Sequence, residues 1–213
     1  FDSARAHASQ PFRGPIWRHV MPESLQNRVQ DAAAQELASL AGTVQGTYEW
    51  IVSYDKLKKF LSPSFLKTSH EGKLMNLGCG TSELGIDLRR SGYKDVVSVD
   101  IDDKQIEEMR KRHGDEDGLS WVVADMTDAS DTFQSGSFQT VIDKATFDAL
   151  MCNDEASHLF SEVHRILCEG GAYVLISFRP RQLMEKLLTV PGMFDQVEVH
   201  EIPRDTAAPV PPL

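Results

Sequence analysis

The chain is poor in cysteine, in basic charge and in long apolar runs, and each scarcity removes a class of protein. Its 213 residues include only three cysteines, Cys79, Cys152 and Cys168. An odd number without metal-ligand spacing reads as free thiols, so no structural disulfide is expected. No metal is expected either: His158, His164 and Cys168 share part of a helical stretch, but no fourth ligand is near. No segment approaches the roughly 18 consecutive apolar residues of a membrane span, and no apolar signal core opens the sequence. A membrane partner is therefore not expected, and a cytoplasmic location is. Lys and Arg number 22 against 32 Asp and Glu, a formal net charge of −10. That balance repels polyphosphate, so nucleic acid is not an expected partner. The Gly-x-Ser-x-Gly elbow is absent as well, which leaves hydrolase chemistry without its nucleophile motif.

What is present fits an ordinary globular protein of one compact unit, with 41% hydrophobic and 25% charged residues. Residues 1–47 read as an N-terminal arm and helix. Arg5, Arg13 and Arg18 against Asp2 suit a loose arm or an organellar presequence. From Pro22 to Ala41, Leu25, Val29, Leu37 and Leu40 fall near helical spacing, and Gly42 supplies a stop. Residues 48–213 form the main domain. A helix is predicted from Trp50 to Leu61, with Trp50, Tyr54, Leu57 and Leu61 on one face.

Beyond it, short apolar strands alternate with amphipathic helices. The candidate strands are Lys73–Leu77, Asp95–Asp100, Ser120–Ala124, Phe138–Asp143, Ala172–Phe178 and Phe194–Ile202. One helix starts at Asp102 and Asp103 and stops at Gly114. Another runs from about Asp154 to Cys168, with Gly170-Gly171 as its terminator. This order predicts an α/β fold with a doubly wound, mostly parallel sheet.

The strongest local signal is Leu74-Met75-Asn76-Leu77-Gly78-Cys79-Gly80-Thr81-Ser82, a strand running into a Gly-x-Gly turn ahead of a helix from about Ser82 to Arg90. Glycine there lets a ligand lie against bare backbone. Asp100 closes the next strand about 20 residues later, where a carboxylate can accept from both hydroxyls of a ribose. A dinucleotide fingerprint wants a third glycine three residues after Gly80. This chain has Glu83, whose charge disfavours a pyrophosphate and tolerates a phosphate-free sulfonium.

At this point the arrangement resembles the class I S-adenosylmethionine-dependent methyltransferases. The run Asp143-Lys144-Ala145-Thr146-Phe147-Asp148-Ala149-Leu150, the Leu77 to Ser82 loop and Ser98 to Ile101 are similar to one eukaryotic branch. So are Tyr48-Glu49-Trp50 and Tyr54-Asp55. That branch methylates lysines or the N-terminus of translation elongation factor 1-alpha, and the likeness covers about Tyr48 to Phe178.

The resemblance implies a Rossmann-like fold, S-adenosyl-L-methionine as cofactor, S-adenosyl-L-homocysteine as product and a protein substrate. The cofactor-binding residues it points to are Tyr48, Trp50, Gly78, Cys79, Gly80, Ser82, Asp100, Ile101, Asp125, Met126, Asp143 and Lys144. Asp125 would face the adenine amino group and Met126 pack on the base, unless Asp125 only caps the following turn. Asp143 is the catalytic candidate: it, or backbone carbonyls near Lys144, would orient an acceptor amine, with Tyr48 and Trp50 walling the site.

Two departures stand out. The branch's aromatic pair upstream of Tyr48 has no match, and the proline-rich Pro203–Leu213 cannot supply a final antiparallel strand. The last strand is expected to be missing or atypical. The Asn-Pro-Pro-aromatic run of many adenine and glutamine methyltransferases is absent, which disfavours that chemistry. The function expected is methyl transfer to a protein lysine amine; a small-molecule methyltransferase and a non-catalytic scaffold are the alternatives.

Overall fold

A computed structural model describes residues 51–114, 117–151, 155–189 and 194–202. The chain divides into two units, Phe1–Leu40 and Ala41–Leu213, and every described residue lies in the second. The predicted N-terminal helix, the tail from Pro203 and the site candidates Tyr48 and Trp50 fall outside the described residues.

Five strands, β1 (Leu74–Leu77), β2 (Val96–Asp100), β3 (Leu119–Val123), β4 (Phe138–Lys144) and β5 (Leu167–Ile176), form one sheet in the order β3-β2-β1-β4-β5. All four pairings are parallel. The strands read as near-continuous apolar runs because helices cover both faces. Alternation sorts their side chains: Leu74, Val96 and Trp121 join one core cluster, while Met75, Val97 and Val141 join the other. On the first face lie α3 (Leu84–Arg90) and α4 (Asp103–His113), which bury Leu84, Leu88, Ile106 and Met109. On the second lies α6 (Ala156–Ile166), burying Leu159, Phe160, Val163 and Ile166. The chain order reverses between β1 and β4, which opens a crevice outside the carboxyl ends of the strands.

Several predicted boundaries change. The helix expected over 50–61 is only α1 (Tyr54–Leu57) followed by turns, and Ser62 then caps a second short helix, α2 (Pro63–Leu66), by accepting from the Phe65 N–H. The helix expected from Ser82 begins at Leu84. Gly170-Gly171 does not terminate α6, which ends at Ile166 with Leu167 already extended. The glycines lie within β5 instead, at an irregularity where Phe138 pairs Leu167 but Thr140 pairs Ala172.

The predicted strand Phe194–Ile202 is not a strand. Its alternation is satisfied by docking rather than by a ladder: the Phe194 ring stacks 5.8 Å from that of Tyr173, and Ile202 packs on the first core cluster. Besides α2, the helices α5 (Thr146–Leu150) and α7 (Arg181–Leu188) escaped the sequence reading. Among the described residues, no helix is long and apolar enough to cross a membrane.

Candidate functional site

The crevice is built from the segments that leave the carboxyl end of each strand. After β1 the chain turns through Gly78 and Gly80 at φ 59° and 50°, a region that side-chain-bearing residues rarely enter. A Cβ on Gly78 would stand 1.7 Å from Thr146 Oγ1. Bare backbone at Gly78 is therefore what lets the turn after β4 pack against the turn after β1, and Thr146 Oγ1 also donates to the Leu77 carbonyl at 3.3 Å. Cys79 between the glycines is buried, and burial pushes its thiol up, so it stays protonated and packs as a small apolar residue.

Asp100, at the end of β2, meets the same turn. Its Oδ2 accepts from the Gly80 N–H at 2.8 Å and its Oδ1 accepts from the Asp102 N–H at 3.0 Å. Each carboxylate oxygen has two lone pairs, so these contacts leave acceptor capacity on both. The helix-capping duty falls to Asp102, which accepts from the Lys104 and Gln105 N–H groups.

Next to Asp100, Ile101 is 67% exposed, and Val123, which pairs Asp100 across the ladder, is 47% exposed. Open aliphatic surface beside a carboxylate suits a nucleoside, whose base wants an apolar wall and whose sugar wants acceptors. Asp125 follows β3 and is exposed; its Oδ1 accepts from the Thr127 N–H at 2.8 Å and from Thr127 Oγ1 at 2.6 Å. It therefore caps a turn as the bland alternative held, with Oδ2 remaining for a ligand. Met126 is buried in the second core cluster.

At the end of β4, Lys144 Nζ donates to Ser82 Oγ at 3.3 Å, which places a cation beside the glycine turn. Asp143 has a different part from the one expected. It is fully buried, and it accepts from the Thr146 N–H at 2.9 Å, the Phe147 N–H at 3.1 Å and Tyr173 Oη at 2.9 Å. Burial pushes its carboxyl up to about 7 against the pull of those donors. A carboxylate so enclosed cannot touch an acceptor amine. It holds Ala145 at φ 77°, a conformation that costs a non-glycine residue about 1–2 kcal/mol.

Glu83 heads α3 and faces His113 Nε2 at 3.0 Å, so a carboxylate does stand at that helix start, where a phosphate would be repelled. Among the described residues no His, Cys, Asp and Glu cluster could hold a metal. Thr146 and Tyr173, which hold the two turns and Asp143, were missed by the sequence reading. Thr146 lies in the quoted Asp-Lys run, but Tyr173 carries no local signal.

The comparisons agree with this geometry. Residues 74–171 match the family described as a methyltransferase domain. The mouse eEF1A lysine and N-terminal methyltransferase is 32% identical over 150 residues, 65% of this chain and 20% of that protein. Its human counterpart is 31% identical over 170 residues, 73% and 23%. The mouse EEF1A lysine methyltransferase 4 is 32% identical over 141 residues, 61% and 53%. The chain thus spans between about a fifth and about a half of these relatives. Among solved structures, a SAM-dependent methyltransferase from Methanosarcina mazei superposes with a TM-score of 0.50 at 22% identity, covering 59% of this chain and 63% of that one, a likeness of fold. Residues 74–171 are thus a methyltransferase domain, similar to the class I S-adenosylmethionine-dependent enzymes of the branch of these relatives.

Proposed function

We propose that this chain transfers a methyl group from S-adenosylmethionine to an amine of a protein, a lysine side chain foremost. The observation that carries the reading is the join between Asp100 and the Gly80 N–H, with the open apolar surface of Ile101 and Val123 at the same strand ends. Relatives named for lysine methylation of eEF1A, at 31–32% identity, support the acceptor class.

The bound cofactor would supply an electrophilic methyl group on a sulfonium. The residues fit such a ligand part by part. Asp100 would accept from the ribose hydroxyls, Ile101 and Val123 would line the base in place of Met126, which is buried in the core, and Asp125 Oδ2 would accept from its amino group. The Gly78-Cys79-Gly80 backbone would lie under the sugar and sulfur. Ser82 and Lys144 would hold the methionine carboxylate, since an ammonium beside a bare turn attracts an anion.

Displacement at a sulfonium needs an aligned acceptor lone pair and exclusion of water. A lysine must arrive neutral, and a partly desolvated cleft lowers its pKa in that direction. Asp143 acts through the turn that it holds, and backbone carbonyls near Lys144 take the orienting contact.

The test is incubation of the full chain with methyl-labelled cofactor and cell extract. Label in protein, located on lysine by mass spectrometry, is the expected result. Label confined to small molecules would replace the acceptor class, and absence of any heat of binding with S-adenosylhomocysteine would leave a scaffold.

A further inference from the structure

Asp148 is the second carboxylate of the Asp143–Leu150 run, and the fold leaves it 2% exposed inside α5. Three consecutive residues beyond β5 converge on it. Ser177 Oγ donates to its Oδ1 at 2.6 Å, the Phe178 N–H donates to Oδ2 at 3.4 Å, and Arg179 Nε donates to Oδ1 at 3.3 Å. Arg179 Nη2 also donates to the Asp148 main-chain carbonyl at 3.1 Å, and the Arg179 N–H donates to Ser177 Oγ at 3.0 Å. The guanidinium carbon lies 5.1 Å from the Phe178 ring. One arginine thus binds both the side chain and the backbone of a single residue, a two-point hold that a planar guanidinium makes and an ammonium does not.

The position of this clamp in the crevice matters. Asp100, Ile101, Val123 and Asp125 occupy the ends of β2 and β3, on one side of β1. The clamp joins segments that follow β4 and β5, on the other side. With the nucleoside on the first half, the second half is what remains for the acceptor. Of the hydrogen bonds just described, none reaches Asp100, Ile101, Val123 or Asp125.

We propose that Arg179 is a positioning residue for methyl transfer, clamping Asp148 so that the segment after β5 and the start of α5 form one fixed wall of the acceptor side of the crevice. The proposal rests on the methyl-transfer reading above. Arg179 touches neither methyl nor sulfonium in this role; it acts through the wall.

The experiment compares the wild-type chain with Arg179→Gln and Arg179→Lys, the second guarding against a variant that fails to fold. Three quantities are read: the dissociation constant of S-adenosylhomocysteine, the initial rate of labelling against concentration of extract protein, and hydrogen exchange of the amides at 177–179. In both variants the dissociation constant stays within about twofold, while the apparent kcat/KM for protein falls at least about tenfold, the size of one lost hydrogen bond to a charged group. Exchange at 178–179 quickens, and Lys does not restore the rate. Equal losses in cofactor binding and in transfer would make Arg179 merely structural and overturn the proposal. So would unchanged transfer alongside quickened exchange, or full rescue by Lys. If the wild type labels no protein, the acceptor reading falls and takes this proposal with it; if only the variants behave otherwise, this proposal alone falls.

Discussion

The Gly80 N–H donates to Asp100 Oδ2 at 2.8 Å across 20 residues of sequence. The bond joins the turn after β1 to the end of β2, so the bare backbone and the carboxylate that a nucleoside needs are positioned by one another. Because Asp102 takes the other oxygen through its N–H at 3.0 Å, the carboxylate cannot rotate, and its remaining lone pairs keep a set direction.

Replacing Asp100 by Ala removes the acceptor for two ligand hydroxyls and for the Gly80 amide. Binding of S-adenosylhomocysteine should weaken by about a hundredfold or more, since hydrogen bonds to a charged group contribute about 1.5–3 kcal/mol each. Titration calorimetry reads this directly, and an unaltered affinity would remove Asp100 from the site.

Ile101→Ser should separate stability from binding. The side chain is 67% exposed, so unfolding free energy should change by no more than about 0.5 kcal/mol. Cofactor affinity should nevertheless drop severalfold, because at about 25 cal/mol per Å2 the apolar area covered on binding is lost. A variant that binds as tightly as the wild type would place the base elsewhere.

Gly78→Ala should be strongly destabilising, by about 2–4 kcal/mol, because a positive φ and a clash combine. The clash is with Thr146 Oγ1, 1.7 Å from the added carbon. Adding Thr146→Gly to the variant should recover part of the lost melting temperature, while the backbone part persists. No recovery in a differential scanning measurement would mean that the two turns do not touch.

Asp143 should make stability depend on pH. Its folded carboxyl is raised to about 7 by burial, above the ordinary value of about 3.9 for an unfolded chain. The folded state therefore holds the proton more tightly, and its advantage is complete below pH about 4 and lost as pH rises through about 7. Denaturant unfolding should show wild-type stability declining across that window, by at most about 4 kcal/mol. Asp143→Asn, which keeps an acceptor for the Thr146 and Phe147 amides and a group for Tyr173 Oη, should be flat there. Equal slopes would contradict the assignment. The same variant should still transfer methyl groups, since no contact with the acceptor is lost.

Part of this protein could be read directly from the chain. Apolar runs such as Val96-Val97-Ser98-Val99 need both faces covered, and their alternation with amphipathic segments leaves a parallel sheet as the packing solution. Gly78, Gly80 and Asp100 were legible for a similar reason, because residue types with few other uses recur at the spacing of a β-turn-α-β unit. The strand assigned to Phe194–Ile202 failed since alternation reports which side chains dock and is silent on whether a backbone ladder forms. Gly170-Gly171 misled in the same manner: a pair that can stop a helix equally serves a register shift inside β5.

Local sequence by itself determined the strand and helix alternation, the glycine turn and the acid that faces it, because these depend on side-chain size and periodicity over short distances. Only the tertiary structure decided what Asp143 and Asp148 do. Asp143 lies near the end of β4 and Asp148 in the short helix that follows; Asp143 also accepts from the nearby Thr146 and Phe147 amides, yet the partners that complete each site, Tyr173 for one and Ser177 to Arg179 for the other, arrive from about 30 residues away. Burial and hydrogen-bond satisfaction are properties of what packs around a group, and no spacing within the run encodes them.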